Sequence, residues 1–399
     1  MSSLRIALLT YSTKPRGSVV HTLELAQALL ELGHYPHVFA LDKEGEGFHR
    51  AVDFQTFGVP ASRCEGDTNA LVKQRIGEFV AFFEQHIEKY DIYHAQDCLG
   101  ANALAVLKER GYLSKFARTV HHIEDFKNPY LQECQQKSIL LSDRCLCVSD
   151  LWQKTLKVKY GISAHRVVNG VSRRFLSPQA DRSALDEARN LLGSRLLGNT
   201  PLSSDSSNLI AEKRHSPIYM TVGGIEPRKN SLNLLKAFAT VREALPTAKL
   251  MIVGGATLFD YQDYRDEFMA LVDSYAITDG LILPGVVSDR VLAQLYRLAD
   301  AFVFPSVKEG WGLVVLEAIA SGLPVVASNQ APFTEFLSEA SAVLVDPTDV
   351  NAIAAAMLEI IKPSVVARLS AHTSAILDRY SWHRSAEMHL DLYFEMSAV

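Results

Sequence analysis

The stretch Ile218-Tyr219-Met220-Thr221-Val222-Gly223-Gly224 is a mainly apolar run, with Thr221 its one polar member, that stops at paired glycines, and Pro227-Arg228-Lys229-Asn230 follows as a turn with two cations. An apolar run without polar alternation reads as a strand covered on both faces, as in a parallel sheet. The pattern recurs downstream. Leu250–Val253 ends at Gly254-Gly255, Leu281–Leu283 at Pro284-Gly285, and Ala301–Phe304 at Pro305-Ser306; Pro324–Ala327 and Ala342–Val345 complete the set. Glycines gather after the strands, where open α/β sheets bind ligands.

Working back towards the N-terminus, Ile6–Thr10 is another buried strand, followed by a loop with Lys14, Pro15, Arg16 and Gly17. Val19, Val20, Leu23, Ala26 and Leu30 then recur at helical spacing, and Gly33 closes that helix. Val38–Leu41, Ile92–His94, Ala117–Val120 and Arg144–Val148 continue the alternation. It breaks after Asn169-Gly170-Val171, and the polar segment 194–216, with Pro201, reads as a surface insertion or linker. The expectation is α/β: two Rossmann-like, doubly wound parallel-sheet domains facing a central cleft. The first spans residues 1–175, the second 176–379, and a last helix at about 380–399 packs back on the first.

Composition narrows the function. The 399 residues are 48% hydrophobic and 21% charged, which excludes a largely disordered chain. A net charge of -5 sets nucleic-acid binding behind other classes. No apolar run reaches the ~18 residues that span a bilayer, and Ile6–Leu9 is too short for a secretory signal. Lys154, Lys157 and Lys159 read as a solvated helix face, with peripheral contact to anionic lipid as the competing reading. Cys64, Cys98, Cys134, Cys145 and Cys147 contain no Cys-x-x-Cys pair, which fits a reducing, cytoplasmic setting. Neither Asp-x-Asp nor a Cys/His cluster at metal spacing occurs, so no metal site is expected. Asp42 sits where a dinucleotide-binding unit would place its ribose carboxylate, but the first loop lacks G-x-G-x-x-G.

The strongest chemical signal is Glu309-Gly310-Trp311-Gly312-Leu313-Val314-Val315-Leu316-Glu317, which follows a strand and opens a helix. Two glycines permit close backbone approach, and a helix start suits a phosphate. Were both glutamates on one helix, they would lie ~12 Å apart along its axis. That is too far for an acid–nucleophile couple and suits one extended ligand held at two ends. Arg228 and Lys229, beside another helix start, form a plausible diphosphate clamp, with Asn230 or Ser231 as the helix cap.

These elements together resemble the retaining glycosyltransferases of family 4, the group 1, glycogen-synthase-like enzymes with the GT-B fold. The likeness runs through Arg228-Lys229-Asn230, Gly285-Val286, Leu295-Tyr296, Ala299-Asp300, Phe304-Pro305-Ser306, Glu309–Glu317 and Gly322-Leu323-Pro324-Val325-Val326. It extends more loosely through Gly17, Glu24-Leu25-Ala26, Gly33-His34, His121-His122, Cys147-Val148-Ser149 and Asn169-Gly170-Val171. The resemblance implies a retaining hexosyltransferase, and the missing Asp-x-Asp, with two cations in its place, implies that it needs no metal. Its substrates would be a UDP- or GDP-linked sugar and an unidentified acceptor hydroxyl, with no further cofactor. It implies that Glu309 faces the donor sugar, that Glu317 bonds the ribose, and that Arg228 and Lys229 hold the diphosphate with the amides of Gly312 and Leu313. Gly285-Val286 would receive the base, and Gly17, Gly310 and Trp311 would join the donor-binding set. His121 would lie beside the reacting sugar, with His122 as its competitor. A sugar-nucleotide epimerase and a non-catalytic nucleotide-sugar-binding protein are the rival readings. The oligomeric state is left open.

Overall fold

The computed structural model describes residues 3–86, 90–176, 181–192, 216–255 and 261–398. Apart from Ser216, the polar segment 194–216 lies outside them. The chain forms two compact units, Met1–Gly170 with Tyr380–Val399, and Val171–Arg379.

The first unit holds seven strands: β1 (Arg5–Thr10), β2 (Tyr35–Asp42), β3 (Gln55–Pro60), β4 (Ile92–Ala95), β5 (Ala117–Val120), β6 (Arg144–Cys147) and β7 (His165–Arg166). Their order is β3-β2-β1-β4-β5-β6-β7, and every pairing is parallel. Strand order reverses between β1 and β4, the place where such sheets open a crevice at their carboxyl ends. Ala7, Leu9, Phe39, Phe79, Phe83, Leu104 and Phe116 fill one face. Helix starts are capped as composition demands: Asp67 accepts from Ala70 N–H, Asp97 from Gly100 N–H and Ser149 from Trp152 N–H. The C-terminal helix, Trp382–Ser397, packs against the Gly17–Glu31 helix of this unit.

The second unit holds β8 (Ile218–Val222), β9 (Lys249–Val253), β10 (Leu281–Gly285), β11 (Ala301–Phe304), β12 (Val325–Ser328) and β13 (Val343–Val345). The order is β10-β9-β8-β11-β12-β13, again all parallel. Tyr219, Leu235, Phe238, Phe268, Val303 and Met357 lie in its core. Among the described residues, no single helix is long and apolar enough to cross a membrane.

Two strands are absent from the sequence reading. β3 is an edge strand with one buried residue, Val59, and its Gly58 and Pro60 mimic a turn. β7 spans two residues and carries no apolar signal.

Candidate active site

In the second unit the βα turns converge. Gly254, at φ 151°, donates to Gly285 O at 3.0 Å, and a Cβ on it would stand 2.5 Å from Gly223 O. Only glycine lets these turns touch. Val286, just past Gly285, is 69% exposed, a flat apolar surface at the strand end.

The turn after β8 closes as a short 3-10 segment, Pro227–Lys229, followed by Asn230 at φ 60°. Asn230 does not cap the next helix through its side chain, contrary to the expectation above. Its amide donates instead to Pro305 O at 3.0 Å and Pro347 O at 2.6 Å. Val307 N–H donates to Arg228 O at 3.0 Å, so the β8 and β11 turns are locked together.

That lock assembles the charges. Glu309 Oε1 lies 2.7 Å from Arg228 Nη1, 2.7 Å from Lys229 Nζ and 2.8 Å from Ser306 Oγ. Arg228 Nη2 reaches Glu226 Oε1 at 2.9 Å. Burial works to raise the Glu309 pKa. Lys229 and Arg228, with hydrogen bonds from Lys229 and Ser306, outweigh it and hold the carboxyl below its ordinary value. Burial draws Lys229 down, with Arg228 adding to the effect against the pull of Glu309. The Lys229 ammonium also stands 4.5 Å from the Phe304 ring centre. Arg228, Lys229 and Glu309 were legible in the sequence; Glu226 and Ser306 were not assigned there, although both lie within three residues of them.

Glu309 precedes the helix Leu313–Ala320, whereas Glu317 lies on it. The two glutamates therefore do not share one helix, and the ~12 Å rise does not apply between them. The break is Gly312, at φ 102°, where a Cβ would meet Phe333 at 2.7 Å. It supplies no capping side chain, and an uncapped helix start is a place where anions can bind. Trp311 is 3% exposed and stacks on Phe336 with ring centres 4.7 Å apart, so its indole is part of the core. Glu317 Oε2 accepts from Tyr296 O–H at 3.0 Å. Tyr296 is fully buried, and burial with the Glu317 charge pushes its phenol well up.

His121 and Gly17 belong to the first unit. Gly17 starts a helix and is exposed, with open space around its Cα. His121 is half-buried just after β5, with Nε2 3.0 Å from Gln96 Oε1. His122 is exposed and sits 3.0 Å from Glu124. Behind His121 lies a cluster that sequence reading missed. Its ring meets His21 edge-on at 4.7 Å, and His21 meets Trp382 at 5.1 Å and His389 at 5.9 Å. His21 Nδ1 is 2.7 Å from Asn169 Oδ1, and His389 Nδ1 donates to Ser385 O at 2.7 Å. His94 is held by Tyr393 O–H at 2.6 Å and Thr119 Oγ1 at 2.8 Å. Burial depresses all four rings, with neighbouring histidines adding to the effect for His21, His94 and His121; His21 falls to about 3 and His389 to about 4. This unit also has a cavity of about 540 Å³ lined by Lys43, Ser62, Arg63, Thr68 and Arg75 among others, and it includes none of the predicted site residues.

Comparison with known proteins places this geometry. Residues 205–372 match the family model "Glycosyl transferases group 1", and residues 15–174 match "Glycosyltransferase Family 4". The chain is 25% identical to a D-inositol 3-phosphate glycosyltransferase of Corynebacterium urealyticum, over 98% of its own length and 95% of the relative's. It is 32% identical to O-antigen chain mannosyltransferase B of Escherichia coli, over 43% of its length and 44% of that protein, so this likeness spans under half of each. Among solved structures, sucrose-phosphate synthase from Thermosynechococcus elongatus superposes with a TM-score of 0.76 at 20% identity, covering 99% of both chains. Anabaena HepE in complex with UDP and glucose gives 0.74 at 18%, covering 98% of this chain and 99% of that one. The two family models between them take in most of both units, and the chain belongs to the family 4, group 1 glycosyltransferases of GT-B fold.

Proposed function

We propose that the enzyme transfers a hexosyl group from a nucleoside diphosphate sugar to an acceptor hydroxyl, with retained anomeric configuration and without a metal ion. The observation that carries this reading is the cluster of Arg228, Lys229, Ser306 and Glu309 beside the uncapped start of the Leu313–Ala320 helix. In the reaction the bond from sugar C1 to the diphosphate oxygen breaks, a bond from C1 to the acceptor oxygen forms, and the acceptor proton passes to the departing diphosphate oxygen. Negative charge grows on the diphosphate. Preorganised cations and helix N–H groups stabilise such charge strongly in a dry site. Arg228, 35% exposed at its side chain, offers a planar fork; Lys229, 15% exposed, offers a point charge. Glu309 holds both in place and stands where a sugar attached to that diphosphate would begin.

The same geometry supports Glu317 as the ribose ligand, since Tyr296 orients its carboxylate on the second turn of the helix. It supports the exposed Gly285-Val286 edge as the base platform. His121 is the first unit's candidate for contact with the sugar. Retention rests on the resemblance to family 4, and a UDP-linked donor is favoured by the likeness to HepE, whose structure holds UDP. The test is turnover of UDP- and GDP-sugars in excess EDTA against a panel of sugar and polyol-phosphate acceptors. Proton NMR of the new glycoside then reads its anomeric configuration against that of the donor. An inverted product overturns retention. Loss of turnover restored only by Mg²⁺ or Mn²⁺ overturns metal independence.

A further inference from the structure

Gln96 follows β4 directly, at the strand-order reversal of the first sheet, and is 1% exposed. Its backbone N–H donates to Leu9 O at 2.9 Å, which fixes where the side chain starts. The amide then touches two histidines. One end lies 3.0 Å from His121 Nε2. The other lies 3.5 Å from both Nδ1 and Nε2 of His94.

That equal spacing settles which end is which. In the plane of the His94 ring, a point 3.5 Å from both nitrogens would collide with the carbon between them, so the amide group sits over the ring face. Both His94 nitrogens are in any case engaged by Tyr393 and Thr119. An aromatic face carries negative potential, so it accepts an N–H and repels a carbonyl oxygen. The NH₂ end therefore belongs over His94 and the oxygen belongs at His121. An amide oxygen only accepts, so His121 Nε2 must carry the hydrogen. Among the described residues nothing hydrogen-bonds His121 Nδ1. A neutral ring with hydrogen on Nε2 presents a lone pair there.

We propose that Gln96 is a positioning residue that locks His121 as the Nε2–H tautomer, leaving Nδ1 as the acceptor for a substrate hydroxyl. His121 then receives a hydrogen bond from the sugar and donates none to it. The kinetic part of this inference rests on the reading of His121 as the sugar-facing side chain; the tautomer does not. Because Gln96 carries no titrating group, the lock holds as pH changes around neutrality. The charged or titratable groups facing His121 are His21, His94, His122 and Arg118.

The test is two-bond ¹H–¹⁵N NMR of the full-length protein labelled with ¹⁵N-histidine, with His121 assigned by its loss in His121→Asn. Wild type should show Nε2 protonated and Nδ1 unprotonated at neutral pH. Gln96→Glu, which keeps an acceptor oxygen at His121, should keep Nε2 protonated. Gln96→Leu should lose the single tautomer and lower kcat/KM about tenfold, the loss expected for one disordered hydrogen bond. A wild-type spectrum with His121 Nδ1 protonated overturns the inference, whatever the Gln96 variants do. So does an unchanged His121 spectrum in Gln96→Leu. A changed tautomer with unchanged turnover upholds the lock and removes His121 from the sugar site.

Discussion

Acidification from about pH 7 to about pH 5.5 should destabilise the first unit selectively, because it buries uncharged histidines. His21, His94 and His389 are 0% exposed, and burial holds each neutral, with His21 lowered to about 3 and His389 to about 4. In the unfolded chain the same rings protonate near ~6.5. The unfolded state thus binds more protons throughout the window, and stability falls as pH falls. Each ring costs about 1.2 kcal/mol between pH ~7 and ~5.5, so three rings cost about 4 kcal/mol, a large part of an ordinary domain's stability. The window stops above the carboxylate range, where Asp97, raised by burial, would begin to act in the opposite direction. The second unit is an internal control, since its one described histidine, His372, is exposed. The assay is urea unfolding at both pH values, read by Trp382 fluorescence for the first unit, since Trp382 sits edge-on to His21. Replacing His389 by Gln should remove about 1.2 kcal/mol of the pH dependence. Equal midpoints at the two pH values, or an unaltered pH dependence in that variant, would mean that the buried rings do not set the acid sensitivity.

Three further outcomes follow from the second unit. Lys229→Ala and Arg228→Ala should each lower kcat by ~10²–10³, the usual loss for one group aimed at developing charge, measured by product release under saturating donor. Glu317→Ala should raise the KM for donor with kcat largely kept, whereas Glu309→Ala should lower kcat more than it raises KM; the opposite split would exchange the two roles. Gly312→Ala should cost at least ~1–3 kcal/mol by urea titration, because it forces a side chain into φ 102° and against Phe333.

Much of this was legible because both sheets are parallel and covered on both faces. β9 and β11 coincide with apolar runs that stop at glycine or proline. β3 was hidden because an edge strand needs little apolar surface. Arg228, Lys229 and Glu309 were legible because each sits within a few residues of a strand end, where the fold places ligands. The histidine cluster was not, since contacts such as His94 with Tyr393 join residues 299 apart in sequence. Only Ser385, His389 and Tyr393, spaced for one helix face, carried any local sign. Trp311 misled for a related reason: an aromatic between two glycines looks like a ligand contact, yet its ring completes the core against Phe336.

We propose that the second unit grips a nucleoside diphosphate with Arg228, Lys229 and the helix start at Gly312. Calorimetric titration of the full chain with UDP, GDP and ADP in excess EDTA tests it most directly. One of the three should bind without metal, and Arg228→Ala and Lys229→Ala should each weaken it at least tenfold, the loss of a charge-assisted hydrogen bond. Absence of binding by all three, or equal affinity in wild type and both variants, would contradict it.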